Sequence, residues 1–206
     1  MVFPDLSAIE LFAVAALALL VIPGPAVLYV VTQSAEQGRA AGLASVAGVH
    51  IGTLVHVVAA AAGVSAIIVA SAVAFSVVKF AGAAYLIWLG LRKLLDHSPP
   101  PAVTARTREL RRSFTRGAVV NVINPKTALC FLAFLPQFVE TDRGAVWSQV
   151  VALGLVFVAL GLVSDSLYAL AGDAAGSLLR RRATALRRIS GTIYVGLGTA
   201  AALTRR

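Results

Sequence analysis

Between Ser7 and Thr32 the chain runs apolar for longer than the roughly 20 residues that carry a helix across a bilayer, and further stretches of the same kind follow. They lie near Ala41–Ala70, Ala72–Leu95, Gly117–Phe138, Trp147–Ala171 and Ile189–Thr204, the last one short. In hydrocarbon every backbone N–H and C=O must find its partner inside the chain, so runs like these are restricted to helices. The expected fold is therefore an all-α polytopic membrane protein with six transmembrane helices. Composition agrees: 59% of the 206 residues are hydrophobic and only 13% are charged, against about 25% charged in soluble domains. One transporter-sized domain spans 1–206, read as a first half 1–95, a cytoplasmic loop 96–116 and a second half 117–206.

The net charge of +9 would suggest nucleic acid in a soluble chain, but here topology accounts for it. Arg39, the cluster from Arg92 to Arg116 and the cluster from Arg180 to Arg188 all fall on one side of the six-span arrangement. Lys79, Arg143, Arg205 and Arg206 fall on the other. Basic loops stay cytoplasmic, so both termini are expected outside the cytoplasm. Arg205 and Arg206 sit awkwardly there, and a sixth segment that failed to cross would bring the C-terminus inside. The small-residue stretch "VASAVAFS" reads as a tight external turn between spans two and three. The N-terminus "MVFPDLSAIELF" carries Asp5 and Glu10 and no basic region ahead of its apolar run, which argues against a cleaved signal. Cys130 is the sole cysteine, so no internal disulfide or two-cysteine redox relay is available.

The first span is interrupted by "VIPGPAVL". Proline inside a helix costs about 3 kcal/mol and leaves a carbonyl without its donor. Pro23 abandons the carbonyl of Leu19, and Pro25 that of Val21. In the fourth span, "NVINPKTALCFLAFLPQF", Pro125 abandons the carbonyl of Asn121. Proline at the first helical position behind a capping residue is also a start signal. Gly24 and Asn124 then read as caps of second half-helices beginning at Pro25 and Pro125. Spans one and four run in opposite directions, so their second halves would both start near mid-membrane. Two positive helix ends facing one region make an anion site of backbone amides. Broken helices at matching positions of two inverted three-helix halves mark a carrier's substrate site. A proline kink serving packing alone is the competing explanation for either break singly.

Polar side chains at membrane depth line a pathway or pair with something. The candidates are His50 and His56, Asn121, Asn124 and Lys126, and Asp165. Gly48, Gly52 and His56 fall at four-residue steps, and so do Gly161 and Asp165, on faces where small residues let helices approach closely. His50 lies off that stripe and is expected to be a histidine bonded to a neighbouring helix. Asp165 is expected to carry a proton or meet a substrate ammonium, with His56 relaying the proton; a structural ion pair of Asp165 with Lys126 is the alternative. No metal-ligand cluster and no phosphate-binding loop stand in the sequence, so no cofactor, metal or enzymatic activity is expected.

The pieces "PGPAVLYVVTQSAEQGRAAGLASVAGVHIG", "KFAGAAYLIWLGLRKL", "RGAVVNVINPKTALCFLAFLPQF" and "VSDSLYAL" lie in order along both halves. Together they resemble the LysE/RhtB family of amino-acid exporters, on its homoserine/threonine branch. The resemblance implies a bacterial inner-membrane carrier that exports neutral amino acids, homoserine or its lactone, driven by the proton gradient. It places Pro23, Gly24, Pro25, His56, Asn121, Asn124, Pro125, Lys126 and Asp165 at family-pattern positions. The residues themselves add Ala26, at the start of the second half-helix, to the substrate-binding set. The partners implied are a small amino acid, protons and the lipid bilayer, with a homodimer possible and no nucleic acid. A small-cation carrier would need more acidic or histidine ligands than this chain offers. A non-transporting membrane scaffold would have no use for two broken helices around a lysine and an aspartate.

Overall fold

The computed structural model describes residues 5–70, 109–141 and 144–181, with isolated helical positions between 77 and 95 and between 185 and 203. All of the regular structure among them is helical. α1 (Leu6–Val21) starts behind Asp5, whose carboxylate accepts the Leu6 N–H. It stops at the two prolines. α2 (Pro25–Gln37) begins immediately after them with Gly24 as its cap, and ends at Gly38, where φ is 88°. α3 (Arg39–Ala70) follows without a loop. α4 (Leu110–Val122) and α5 (Pro125–Leu129) are separated by the Asn124–Pro125 break. α5 continues as a π turn (Cys130–Phe134) and a 3₁₀ turn (Leu135–Phe138). α6 (Val146–Arg181) is long and kinks at Gly172, where φ is 46°.

Among the described residues, α3 from Arg39 to Gly63 and α6 from Val146 to Gly172 are each long and apolar enough to cross a membrane. The pairs α1–α2 and α4–α5, the latter continued to Phe138, reach that length only taken together, each as a broken span or a re-entrant loop, bent by 53° and 47°. The expected runs starting near Ser7, Ala41, Gly117 and Trp147 thus correspond to described helices. The runs Ala72–Leu95 and Ile189–Thr204, and the turn between spans two and three, fall largely outside the described residues. One boundary differs from the expected loop 96–116: α4 begins at Leu110, so the basic stretch 110–116 forms its first two turns. Its basic residues keep it polar on one side, while Ser113 and Gly117 are buried on the other.

α3 packs on both α4 and α6, and glycines set the spacing. A Cβ on Gly48 would stand 1.9 Å from the Phe114 carbonyl oxygen, and one on Gly117 2.6 Å from that of Ser45. α3 and α4 therefore meet backbone to backbone, as small-residue faces allow. The main apolar core joins Phe12, Leu19 and Leu20 of α1 with Phe131, Phe134 and Leu135 of the irregular turns and Leu153 and Phe157 of α6. Leu11, Val14, Val58, Val163 and Leu167 point outward, as a lipid-facing surface requires.

Candidate functional site

The two breaks meet. A cavity of about 40 Å³ is lined by Leu19, Leu20, Gly24, Ala26 and Val27 around the first break and by Asn121, Asn124, Lys126 and Thr127 around the second. Val49, His50 and Thr53 of α3, Cys130, and Phe157 and Asp165 of α6 complete it. Space of that size admits on the order of two or three waters.

The carbonyls abandoned by the prolines are re-satisfied by side chains. Lys126 Nζ donates to the Leu19 carbonyl at 2.6 Å and to the Ile22 carbonyl at 2.8 Å. A cation against the C-terminal carbonyls of a helix also opposes its dipole favourably. Gly24 makes room for the lysine stem: a Cβ there would be 3.1 Å from Lys126 Cδ. The Val21 carbonyl accepts the Tyr168 hydroxyl at 2.8 Å. At the second break, the Asn121 carbonyl accepts His56 Nε2–H at 3.0 Å and the Asn124 N–H at 3.0 Å. Each break is thus mended by a neighbour, as buried backbone demands.

The two half-helix starts differ. Asn124 caps α5 through its side chain, accepting the Lys126 N–H at 3.1 Å. No side chain caps α2, whose start brings Gly24, Ala26 and Val27 to the cavity wall. Asn121 is fully committed. Its amide donates to the Val49 carbonyl and to Thr53 Oγ1, both at 2.9 Å. Its Oδ1 accepts from Thr127 Oγ1 at 2.9 Å and Asn124 Nδ2 at 3.2 Å. With both N–H groups and two lone pairs in use, Asn121 ties α3, α4 and α5 into one floor beneath the cavity.

Asp165 meets His50, not Lys126. His50 Nε2 and Asp165 Oδ2 are 3.1 Å apart, and the two residues are 4% and 3% exposed. His50 Nδ1 and Asp165 Oδ1 are buried without a hydrogen-bond partner. Gly161 admits the ring: a Cβ there would lie 2.4 Å from His50 Cε1. The structural ion pair of Asp165 with Lys126 is therefore replaced by a pairing with histidine. His50 is a histidine bonded to a neighbouring helix, as expected, but its partner is the one buried acid of the site. Four-residue spacing marks only one buried face on α3 and leaves His50 off it. The helix has two, with Gly48, Gly52 and His56 toward α4 and His50 toward α6. Among the described residues no group of three or more His, Cys, Asp or Glu side chains gathers as metal ligands do.

The chain is similar to known membrane proteins along nearly its whole length. The family model for LysE type translocators matches residues 17–205. An uncharacterized membrane protein of Vibrio cholerae is 30% identical over 85% of this chain and 87% of its own length. A homoserine/homoserine lactone efflux protein of Salmonella typhimurium is 29% identical, covering 89% of this chain and 90% of that protein. A leucine efflux protein of Salmonella choleraesuis is 31% identical over 63% of this chain and 62% of its own. No solved structure matches. The chain is accordingly a membrane transport protein and not an enzyme, and it belongs to the LysE type translocator family.

Proposed function

We propose that this protein exports neutral amino acids across the bacterial inner membrane in exchange for protons, through six spans arranged as two inverted halves with both termini outside the cytoplasm. The observation that carries the reading is the shared cavity, where both helix breaks, a lysine and a buried aspartate meet. A zwitterion has one charge for each end of such a site. Its carboxylate suits the uncapped start of α2, where Ala26 and Val27 line the cavity, beside the positive charge of Lys126. Its ammonium suits the unpartnered Oδ1 of Asp165. With those charges matched, the remaining lining is largely apolar, with Leu20, Val27, Val49 and Phe157, which favours a neutral side chain. The efflux activities named for two relatives, toward homoserine or its lactone and toward leucine, point the same way. Pro23, Pro25 and Pro125 create the breaks, Gly24 seats the lysine, and Asn121 and Asn124 hold the second break in place. The cavity admits only on the order of two or three waters, so binding an amino acid would move the helices around it apart, as alternating access does.

The test is flux in everted vesicles. With an imposed proton gradient, vesicles containing the protein accumulate L-homoserine or L-leucine above vesicles lacking it, and Asp165→Asn abolishes the gain. Accumulation by Asp165→Asn equal to the unsubstituted protein would remove Asp165 from the mechanism. No movement of any neutral amino acid would remove the substrate class.

A further inference from the structure

We infer that His50 and Asp165 together form the unit that carries the exchanged proton, and that the substrate ammonium and that proton occupy it by turns. The inference rests on the antiport reading above and adds to it a second titrating residue, His50 in place of His56. Three observations support it. Among the described residues His50 is the partner of Asp165, at 3.1 Å with both buried. Each member also keeps one buried polar atom with no partner, His50 Nδ1 and Asp165 Oδ1, and both residues line the cavity. Buried polar atoms are nearly always bonded, so a pair with two idle ones is arranged to receive something. His56, by contrast, spends its Nε2–H on the Asn121 carbonyl, where it mends the second break.

The other titratable groups near the pair are few. Lys126 comes from α5 and Cys130 from the π turn, both on the cavity wall. Tyr168 lies one turn along α6, with its hydroxyl on the Val21 carbonyl. From α1, α2 and α4 the described lining brings no titratable side chain.

The proton balance follows. Loaded, the pair holds one exchangeable proton, as imidazolium against carboxylate or as neutral imidazole against acid. When a substrate ammonium arrives from the cytoplasm at Asp165, the carboxylate pairs with it and the proton leaves through the imidazole to cytoplasmic water. On the other face a proton binds the pair, neutralises the carboxylate and releases the ammonium. One proton enters for each amino acid that leaves, with no bond broken other than those to hydrogen.

His50→Gln separates this from a structural role, because it retains polarity and approximate size but removes the titrating nitrogen. In reconstituted vesicles it loses accumulation driven by a proton gradient, whereas exchange of labelled for unlabelled L-homoserine or L-leucine, which needs no net proton movement, is weakened but still measurable. Full gradient-driven accumulation by the variant overturns the inference. So does loss of exchange as well as accumulation in protein that remains monodisperse in detergent, since His50 would then serve binding or packing. The unsubstituted protein supplies an arm that survives a variant that fails to fold. Adding L-homoserine or L-leucine to it in weakly buffered detergent solution releases a proton to an indicator dye, and binding without release overturns the inference. If the unsubstituted protein neither binds nor exchanges any neutral amino acid, the antiport reading itself fails, a distinct result.

Discussion

At the scale of single residues, the chemistry of this protein is largely the repair of what its prolines removed. Lys126 serves two carbonyls from one ammonium, and Tyr168 serves a third. A buried acceptor left unmade costs about 1–3 kcal/mol, and an ordinary hydrogen bond contributes about 1 kcal/mol net. Lys126→Met is therefore expected to destabilise by a few kcal/mol, whereas Tyr168→Phe, at the more open edge, costs about 1 kcal/mol or less. Thermal unfolding in detergent ranks the two, and equal losses would contradict the assignment. The sequence made the abandoned carbonyls legible, since a proline names the residue four positions back. It did not reveal which donors arrive, because Lys126 and Tyr168 are more than 100 positions away in the chain from the oxygens they reach.

At the scale of helices, spacing is set where backbones touch. Gly48→Ala drives a methyl into the Phe114 carbonyl, and overpacking of that kind costs about 1–3 kcal/mol. Gly63 on the same helix has nothing within 4 Å of an added Cβ among the described residues. Gly63→Ala should be neutral or stabilising by about 0.5–1 kcal/mol through better helix propensity. Unfolding of the two variants side by side checks the contrast, and a loss of stability in Gly63→Ala would count against this packing. Four-residue steps of glycine mark the close approach of α3, but a single stripe per helix is too simple for one wedged between two neighbours, and it does not show which helix His50 reaches. The second half of span four is also less regular than its apolar run suggested. Pro136 has no N–H for the ladder, and the chain passes through a π turn and a 3₁₀ turn around it, as helices do when they absorb such a residue. Gln137 Nε2 donates to the Ala133 carbonyl at 2.7 Å in the same stretch.

For the molecule as a whole, the hydropathy pattern and the loop arginines predict an orientation that labelling can read. Cysteines introduced by Ser98→Cys and Arg205→Cys, in a Cys130→Ser background, should react with a membrane-impermeant thiol reagent from opposite sides. Labelling from the same side would remove the sixth span. Membrane class and the two breaks were plain from apolar length and proline position, because the bilayer leaves so few alternatives. The pairing inside the cavity was not, since side chains that meet across helices leave no mark in local spacing.

The ammonium of Lys126 belongs to one broken span and rests on the carbonyls of the other. Two hinges in separate helices are ordinarily free to bend separately, giving a carrier half-open shapes in which both gates stand ajar. Here one pin runs through both hinges. Under the alternating access proposed above, neither would turn without dragging or dropping the other, and the carrier would change face in a single throw.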